Sequence, residues 1–405
     1  MHITKKVLAV AGIAAASALI LAGCSSTPAA TDGAATPATG TPIVVSGISS
    51  LSVFPEAPQA AQAVFDAYNA AGGFMGHPIT YTVYDDKIDP AVTATAAKDA
   101  LAAGSVAMVG SSSLLECGVN YKTWQDNNVV SFQGTGVDPF CFATPNIAPA
   151  NNGPFFDIYA TAWNAVKVDG AKNACVLAAT ADPATKLAYE QTFKDFEKAT
   201  GTKFASIDDS VAYGADYTAA VTNMLGKGCD AVILGGVGPD VTGMISAMTA
   251  QGSMLPVYVQ TSCYYPDFAT GVASYMGKVS VPAEFAPLDD AANADFLALM
   301  KEKNVTASSF AQGGYLAAKD FIAALERTTG DVTAMSVMDA ATSQTEADTS
   351  GMRGNPWIFG PGASHQANAS TYRIDIAPGS GTWTNVGPWL LGDTMKWVNT
   401  VIPAS

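Results

Sequence analysis

Three consecutive serines, Ser111, Ser112 and Ser113, follow an apolar run at residues 106–110 that is typical of a buried strand. A helical pattern begins after them, so we expect the serines at or just before a helix N-terminus. Hydroxyl groups and unpaired backbone N–H groups at the positive end of a helix suit a carboxylate. The sequence therefore predicts an anion site here, unless the serines only cap the helix.

Two adjacent tyrosines, Tyr264 and Tyr265, follow another predicted strand at residues 257–261. A tyrosine ring can stack on a flat ligand while its hydroxyl group forms a hydrogen bond. We therefore expect this pair to contact a ligand ring.

Catalytic and metal-binding patterns are missing from the sequence. After the N-terminal segment only His77 and His365 remain, and neither comes with a nucleophile elbow, metal-ligand spacing or a phosphate loop. The cysteines have no Cys-x-x-Cys spacing. We expect no enzyme activity, no cofactor and no metal. The net charge of −15 without a basic run argues against nucleic-acid binding.

The N-terminal residues indicate export. Lys5 and Lys6 precede an apolar run at residues 7–22, which is shorter than the about 20 residues that span a bilayer. The run ends in Leu-Ala-Gly-Cys at residues 21–24, which matches the bacterial lipobox. We expect residues 1–23 to be a lipoprotein signal peptide and Cys24 to be lipidated, so that the chain meets the membrane only through its lipid anchor.

The rest of the sequence predicts the strands and helices that position these residues. Residues 24–41 lack apolar periodicity and are expected to form a flexible tether. Apolar runs then alternate with helical patterns in two successive blocks, residues 43–132 and 174–261. This order predicts an α/β protein with two similar lobes, each built on a doubly wound parallel sheet. Helices are expected at 294–303 and 310–327, a loop-rich segment at 335–370, and a terminal hairpin at 372–376 and 382–386.

Four stretches of the chain resemble the branched-chain amino-acid type of solute-binding protein, which serves ABC importers. They are residues 68–76 (Tyr-Asn-Ala-Ala-Gly-Gly-Phe-Met-Gly), Asp85 and Asp86 before Asp89 and Pro90, residues 212–217 leading to 229–232, and residues 359–362 before His365 and Gln366. The resemblance implies a type I periplasmic-binding-protein fold with a three-strand hinge. It implies that lobe one is residues 43–158 plus 285–368, and lobe two is residues 159–284 plus 369–405.

The resemblance also implies a site between the lobes. Ser112, beside Ser111, and Thr135 would hold a ligand carboxylate, together with backbone groups near Gln133 and Gly134. Phe54 would supply an aromatic wall, or else only pack in its loop.

The second lobe departs from the amino-acid pattern. Family members that bind amino acids hold the ligand ammonium with an acid near the position of Ser262, and residues 260–265 contain none. An ammonium group buried without a carboxylate is poorly compensated. We therefore expect a carboxylate-bearing ligand without an α-ammonium group. The alternative is that Asp182 takes the place of the missing acid and holds an ammonium group.

Five cysteines follow Cys24, and their spacing alone leaves the pairing open. With the implied lobes, Cys175 and Cys229 lie near the starts of neighbouring strands, and Cys117 and Cys141 share lobe one. We expect these two disulfides, with Cys263 left over. The implied partners are a small ligand and ABC permease subunits, at the outer face of the cytoplasmic membrane; a sensor that signals to a membrane receptor is the alternative.

Overall fold

The structure is a computed structural model that describes residues 36–180, 183–360 and 368–400. The expected signal peptide, Cys24 and most of the tether lie outside the described residues. So do Asp182, His365 and Gln366. Within the described parts of the chain, no helix has both the length and the apolar character to cross a membrane.

The first sheet has five parallel strands. They are β1 (Ile43–Ser49), β2 (Ile79–Asp85), β3 (Ala107–Ser112), β4 (Val130–Thr135) and β5 (Ile147–Pro149), in the order β2-β1-β3-β4-β5. Every residue of β3 and β4 is buried, because helices cover both faces of a parallel sheet. The crossover helices are α1 (Glu56–Ala70), α2 (Pro90–Ala102), α3 (Glu116–Asp126) and α4 (Pro139–Ala143).

The second sheet has seven strands. They are β6 (Ala174–Thr180), β7 (Ser206–Ala212), β8 (Ala231–Gly235), β9 (Val257–Val259), β10 (Val279–Ala283), β11 (Ser370–Ile376) and β12 (Trp383–Leu391), in the order β12-β11-β10-β9-β8-β6-β7. The predicted terminal hairpin is confirmed as β11 and β12, and it joins the sheet antiparallel to β10. This sheet is therefore mixed at one edge, where the sequence predicted parallel strands alone.

The remaining helices cover the second sheet and return to the first. They are α5 (Gly153–Trp163), α6 (Pro183–Thr200), α7 (Thr218–Leu225), α8 (Gly238–Ala250), α9 (Pro266–Gly271), α10 (Ala294–Lys303), α11 (Ser309–Arg327) and α12 (Ala334–Thr342). Helix α11 packs against α1 so closely that a Cβ at Gly314 would lie 1.9 Å from the carbonyl oxygen of Ala57. Helix α12 corrects the prediction that residues 335–370 are loops.

Three chain crossings link the sheets. The first sheet uses residues 43–149, and the second uses residues 174–283 and 370–391. The crossings therefore follow β5, follow β10 and precede β11. The exact lobe boundaries stay a prediction.

Both expected disulfides are confirmed. Cys117 pairs with Cys141 in the first lobe, and Cys175 pairs with Cys229 in the second. Cys263 is free and buried.

Candidate ligand-binding cleft

A small cavity of about 50 Å³ lies between the two sheets, where residues from both meet. This volume is below the range of about 300–1,000 Å³ that is common for small-molecule sites, so the cavity is narrow in this arrangement of the lobes. The residues that line it include Phe54, Thr135, Asp157, Gln260, Ser262 and Glu284.

Two hydroxyl groups at neighbouring strand ends have no hydrogen-bond partner among the described residues. Ser112 ends β3 and Thr135 ends β4, and the parallel register pairs them. Both side chains are buried, and neither Ser112 Oγ nor Thr135 Oγ1 is satisfied. Thr135 lines the cleft, whereas Ser112 is not among the lining residues; its Oγ lies 3.0 Å from where a Cβ of Gly134 would be. Buried polar atoms are normally paired, so unpaired hydroxyl groups beside a cavity indicate a place for a ligand's polar atoms.

The other two serines of the triplet have structural partners. Ser111 Oγ accepts a hydrogen bond of 3.0 Å from the backbone N–H of Ile48 in β1. Ser113 Oγ accepts from the backbone N–H groups of Leu115 and Glu116, at 2.9 and 2.8 Å. The triplet lies just before α3, within the expected place, but Ser111 and Ser112 belong to β3, and Ser113 is the member that accepts hydrogen bonds from backbone N–H groups at the helix start.

The predicted backbone contributors at the end of β4 also pack inward. Gln133 Nε2 donates to Glu116 Oε2 at 2.8 Å and to Ser131 Oγ at 2.7 Å, so its side chain points into the core. The carbonyl oxygen of Gly134 would be 2.3 Å from a Cβ at Gly313, which shows how closely α11 covers this strand. Neither Gln133 nor Gly134 is among the residues that line the cleft.

An aromatic wall forms one side of the cavity. The ring of Phe54, from the loop before α1, meets the ring of Phe310 edge to face, with centroids 4.8 Å apart. Both residues line the cleft. Phe54 therefore lines the cleft, and its contact with a ligand stays a prediction.

The tyrosine pair lies outside the lining. Tyr264 is buried in the core of the second lobe, where its hydroxyl oxygen accepts a 3.0 Å hydrogen bond from the Leu288 N–H. Tyr265 packs on Phe268, with ring centroids 6.0 Å apart, and against Gly238. The prediction that both rings face the ligand is not supported by this packing. Ser262 does line the cleft, and its Oγ donates to the carbonyl oxygen of Gly236 at 2.7 Å.

Two acids that the sequence argument did not single out also line the cleft. Asp157 lies in α5, and Glu284 directly follows β10; each is 1% exposed. Asp157 Oδ2 accepts a 2.8 Å hydrogen bond from the Thr261 N–H, and the carboxyl group also interacts with the side chain of Gln260. Glu284 Oε1 accepts from Ser309 Oγ at 2.8 Å, and the carboxyl group also interacts with Asn151 and Asn152.

Burial dominates the electrostatics of these acids. It raises the pKa of Glu284 to about 7, against the opposing hydrogen bonds from Ser309, Asn152 and Asn151. Burial and then repulsion from Glu284 raise the pKa of Asp157 well above its ordinary value. Residues 260–265 contain no acid, but the cleft as a whole contains two.

Sequence patterns gave no signal for either acid. Asp157 lies in a helix in which the adjacent residues Phe156, Ile158 and Tyr159 are all apolar and buried, so the sequence of this segment is typical of a core helix. Glu284 follows a short strand interrupted by Pro282. A polar residue inside an otherwise apolar helix at a domain crossing is the one feature that could have indicated Asp157.

Two α/β lobes joined by three crossings, with a cavity between strand ends, define a class of two-lobed solute receptors. The chain belongs to the periplasmic binding protein family, whose family model matches residues 40–379. Its fold is the type I fold expected from the sequence. No curated protein matches the chain.

Solved structures with the same fold bind chemically different ligands. A leucine-binding protein from Thermotoga maritima MSB8 is 14% identical, with a TM-score of 0.71, covering 87% of this chain and 99% of its own. A fatty acid ABC transporter substrate-binding protein from Thermomonospora curvata is 17% identical, with a TM-score of 0.73, covering 91% and 97%. A solute-binding protein from R. palustris in complex with 4-hydroxybenzoate is 16% identical, with a TM-score of 0.73, covering 86% and 97%. At these identities the likeness establishes the fold alone.

Proposed function

We propose that this protein is the extracytoplasmic receptor of an ABC importer and captures a small carboxylate-bearing molecule between its lobes. The observation that carries the proposal is the pair of unpartnered hydroxyl groups of Ser112 and Thr135 at adjoining strand ends. Each hydroxyl can donate to a carboxylate oxygen, and hydrogen bonds to a charged group are stronger than those between neutral groups.

The cleft's apolar side sets the shape of the ligand. The edge-to-face pair of Phe54 and Phe310 suits a flat ring or a branched aliphatic group. Leucine and 4-hydroxybenzoate, the ligands named for two of the similar structures, each carry such a group beside a carboxylate. These likenesses support the ligand class without selecting one member of it.

Anchoring at the outer face of the cytoplasmic membrane through Cys24 belongs to the same proposal. Its support is the sequence at residues 21–24. Metabolic labelling with a radioactive fatty acid should mark the wild-type protein and fail to mark Cys24→Ala. Equal labelling of both would contradict the anchor.

A thermal-shift experiment tests the ligand class. The full chain carrying Cys24→Ala is scanned against branched-chain amino acids, their deaminated acids, aromatic carboxylates and the corresponding neutral amides. A ligand at 100 times its dissociation constant stabilises the protein by about 2.7 kcal/mol, which shifts the melting temperature by several degrees. We expect carboxylates to shift the melting temperature and their amides not to do so. Equal shifts with acids and amides would overturn the carboxylate assignment.

A further inference from the structure

The two disulfides lie at opposite ends of their sheets. Cys175 and Cys229 lie at the starts of β6 and β8, whereas the cleft is lined by Gly236, which follows the end of β8. Cys117 lies in the first turn of α3, after the carboxyl end of β3, and Cys141 lies in α4, after the carboxyl end of β4. The first-lobe disulfide is therefore the one on the cleft side of its sheet.

Helix α4 lies directly behind part of the cleft lining. Three consecutive residues that lead from β4 toward α4 line the cavity, and we call them the lining loop: Thr135, Gly136 and Val137. A Cβ at Gly136 would lie 3.1 Å from the Cβ of Cys141, so the loop packs directly against the disulfide. Thr135, at the start of this loop, is the donor that the proposed function assigns to the ligand carboxylate.

Helix α4 also contacts the beginning of α5, which lines the cleft as well. A Cβ at Gly153 would overlap the ring of Phe142, and Gly153 is one of the lining residues. The ring of Phe142 meets that of Phe155 edge to face, with centroids 6.4 Å apart, and Phe155 meets Tyr189 of α6 in the same way at 5.8 Å. Tyr189 lines the cleft from the second lobe. A shift of α4 would therefore displace lining residues of both lobes.

The noncovalent contacts that hold α4 are few. The helix has only five residues, and a helix this short is not stable without tertiary contacts. Asp138 caps it by accepting from the Phe140 N–H at 2.8 Å, and Asp138 also accepts from the Gly118 N–H of α3 at 2.9 Å. The ring of Phe140 stacks on Tyr121 of α3. The disulfide adds a covalent link between the same two helices.

We propose that the Cys117–Cys141 disulfide positions the lining loop and thereby sets the affinity for the ligand. This inference rests on the proposed function and deepens it, because it names the residues that hold the carboxylate donor Thr135 in place. A loop that is already fixed in its binding conformation loses little conformational entropy when a ligand binds. Without the disulfide that entropy loss accompanies binding and lowers the affinity. The Cys175–Cys229 disulfide has no such role, because it lies at the far end of its sheet.

Two double variants test this role by titration calorimetry on the full chain carrying Cys24→Ala. The probes are leucine, 4-methylpentanoate and 4-hydroxybenzoate. Cys117→Ala with Cys141→Ala should weaken binding of every probe that the wild type binds by 10-fold or more. Cys175→Ala with Cys229→Ala is the matched control and should change each affinity less than twofold.

Urea unfolding of the same variants separates affinity from stability. The control disulfide closes the longer loop, with a sequence separation of 54 residues against 24, so its removal should lower the urea midpoint at least as much. If affinity simply followed stability, the control variant would therefore lose at least as much affinity. A loss confined to the first-lobe variant shows positioning.

Hydrogen exchange followed by mass spectrometry gives a readout without ligand. Amides of residues 136–143 should exchange slowly in the wild type and at least 10-fold faster in Cys117→Ala with Cys141→Ala. The control variant should leave their exchange unchanged. The wild-type measurement needs no variant, so a variant that fails to fold does not remove the test. Rapid exchange of these amides in the wild type would overturn the proposal.

The outcomes separate this inference from the proposed function. If no probe binds the wild type, the carboxylate receptor is overturned and the role in affinity falls with it, while hydrogen exchange still decides whether the disulfide holds the lining loop. If probes bind and both double variants keep wild-type affinity, or lose it equally, the positioning role is overturned and the receptor stands.

Discussion

Two polar regions at the cleft differ in construction, and we call them the hydroxyl region (Ser112 and Thr135) and the acidic region (Asp157 and Glu284). The hydroxyl region is neutral and lies on two adjacent strands of one sheet. The acidic region titrates and is assembled through Thr261, which follows β9, and Ser309, which begins α11. One region is fixed within a lobe, whereas the other depends on how the lobes meet.

This difference bears on how a ligand would affect the arrangement of the lobes. A ligand shifts a conformational equilibrium only as far as its affinities for the two states differ. Contacts with the hydroxyl region involve lobe one alone. Contacts with the acidic region involve elements of both lobes, so we expect them to favour the arrangement in which these elements meet.

The largest expected effect is on stability and comes from Glu284→Gln. The pKa of the Glu284 carboxyl group is raised from 4.5 to about 7, so the folded state binds more protons than the unfolded state between these pH values. The contribution of this group to the free energy of unfolding is therefore fully present below about pH 4.5. It is lost as pH rises through 7, which lowers the free energy of unfolding by about 3 kcal/mol in total. Without ligand, Glu284→Gln should be more stable than wild type at pH 8 and similar to it at pH 4.5. Urea unfolding at both pH values measures this.

The comparison with wild type is essential here, because Glu116 and Asp320 are buried acids whose pKa values are also raised. They affect both proteins equally, so the difference between the two isolates Glu284. A variant that is less stable than wild type at pH 8 would show that the charge of Glu284 supports the hinge.

The hydroxyl region should respond differently, through affinity alone. Thr135→Val removes one donor to the ligand carboxylate and keeps the shape of the side chain. Leaving that carboxylate short of a hydrogen bond costs about 1–3 kcal/mol, so affinity should fall about 5- to 150-fold for every carboxylate that binds. Calorimetry at pH 6 and pH 8 should give the same loss.

Thr371→Val is the matched control, because Thr371 Oγ1 is also buried and unpartnered but lies in β11, away from the cleft. Its affinity should equal that of wild type. An equal loss in both variants would mean that the effect of Thr135→Val is not local to the ligand.

The two regions also differ in how far the sequence could predict them. The position of the serine triplet after an apolar run indicated the end of β3, and the resemblance to the family then implied Ser112 and Thr135, at the sheet edge where the carboxyl ends of parallel strands meet. Asp157 and Glu284 come together only through tertiary packing of α5 against the end of β10. The same limit explains Tyr264 and Tyr265, whose position after β9 was predicted but whose rings turn into the lobe-two core.

The aromatic wall of Phe54 and Phe310 also lines the cleft and should affect ligand choice modestly. Phe54→Leu removes an edge-to-face contact with Phe310, and such contacts contribute about 0.5–1.5 kcal/mol. Affinity for aromatic carboxylates should fall several-fold, and that for aliphatic carboxylates should fall less. Phe310→Leu should give the same pattern. Equal losses for both ligand types would indicate that the ring supports the loop and does not contact the ligand.

The smallest expected effect on binding is at Tyr264. Tyr264→Phe removes the acceptor for the Leu288 N–H within the lobe-two core and should lower the free energy of unfolding by about 1 kcal/mol. Ligand affinity should stay as in wild type, because the hydroxyl group faces the core and does not line the cleft. Urea unfolding and calorimetry on the same preparation separate the two quantities. A loss of affinity without a loss of stability would instead return this ring to the ligand, and would mean that the second lobe contributes a third polar region.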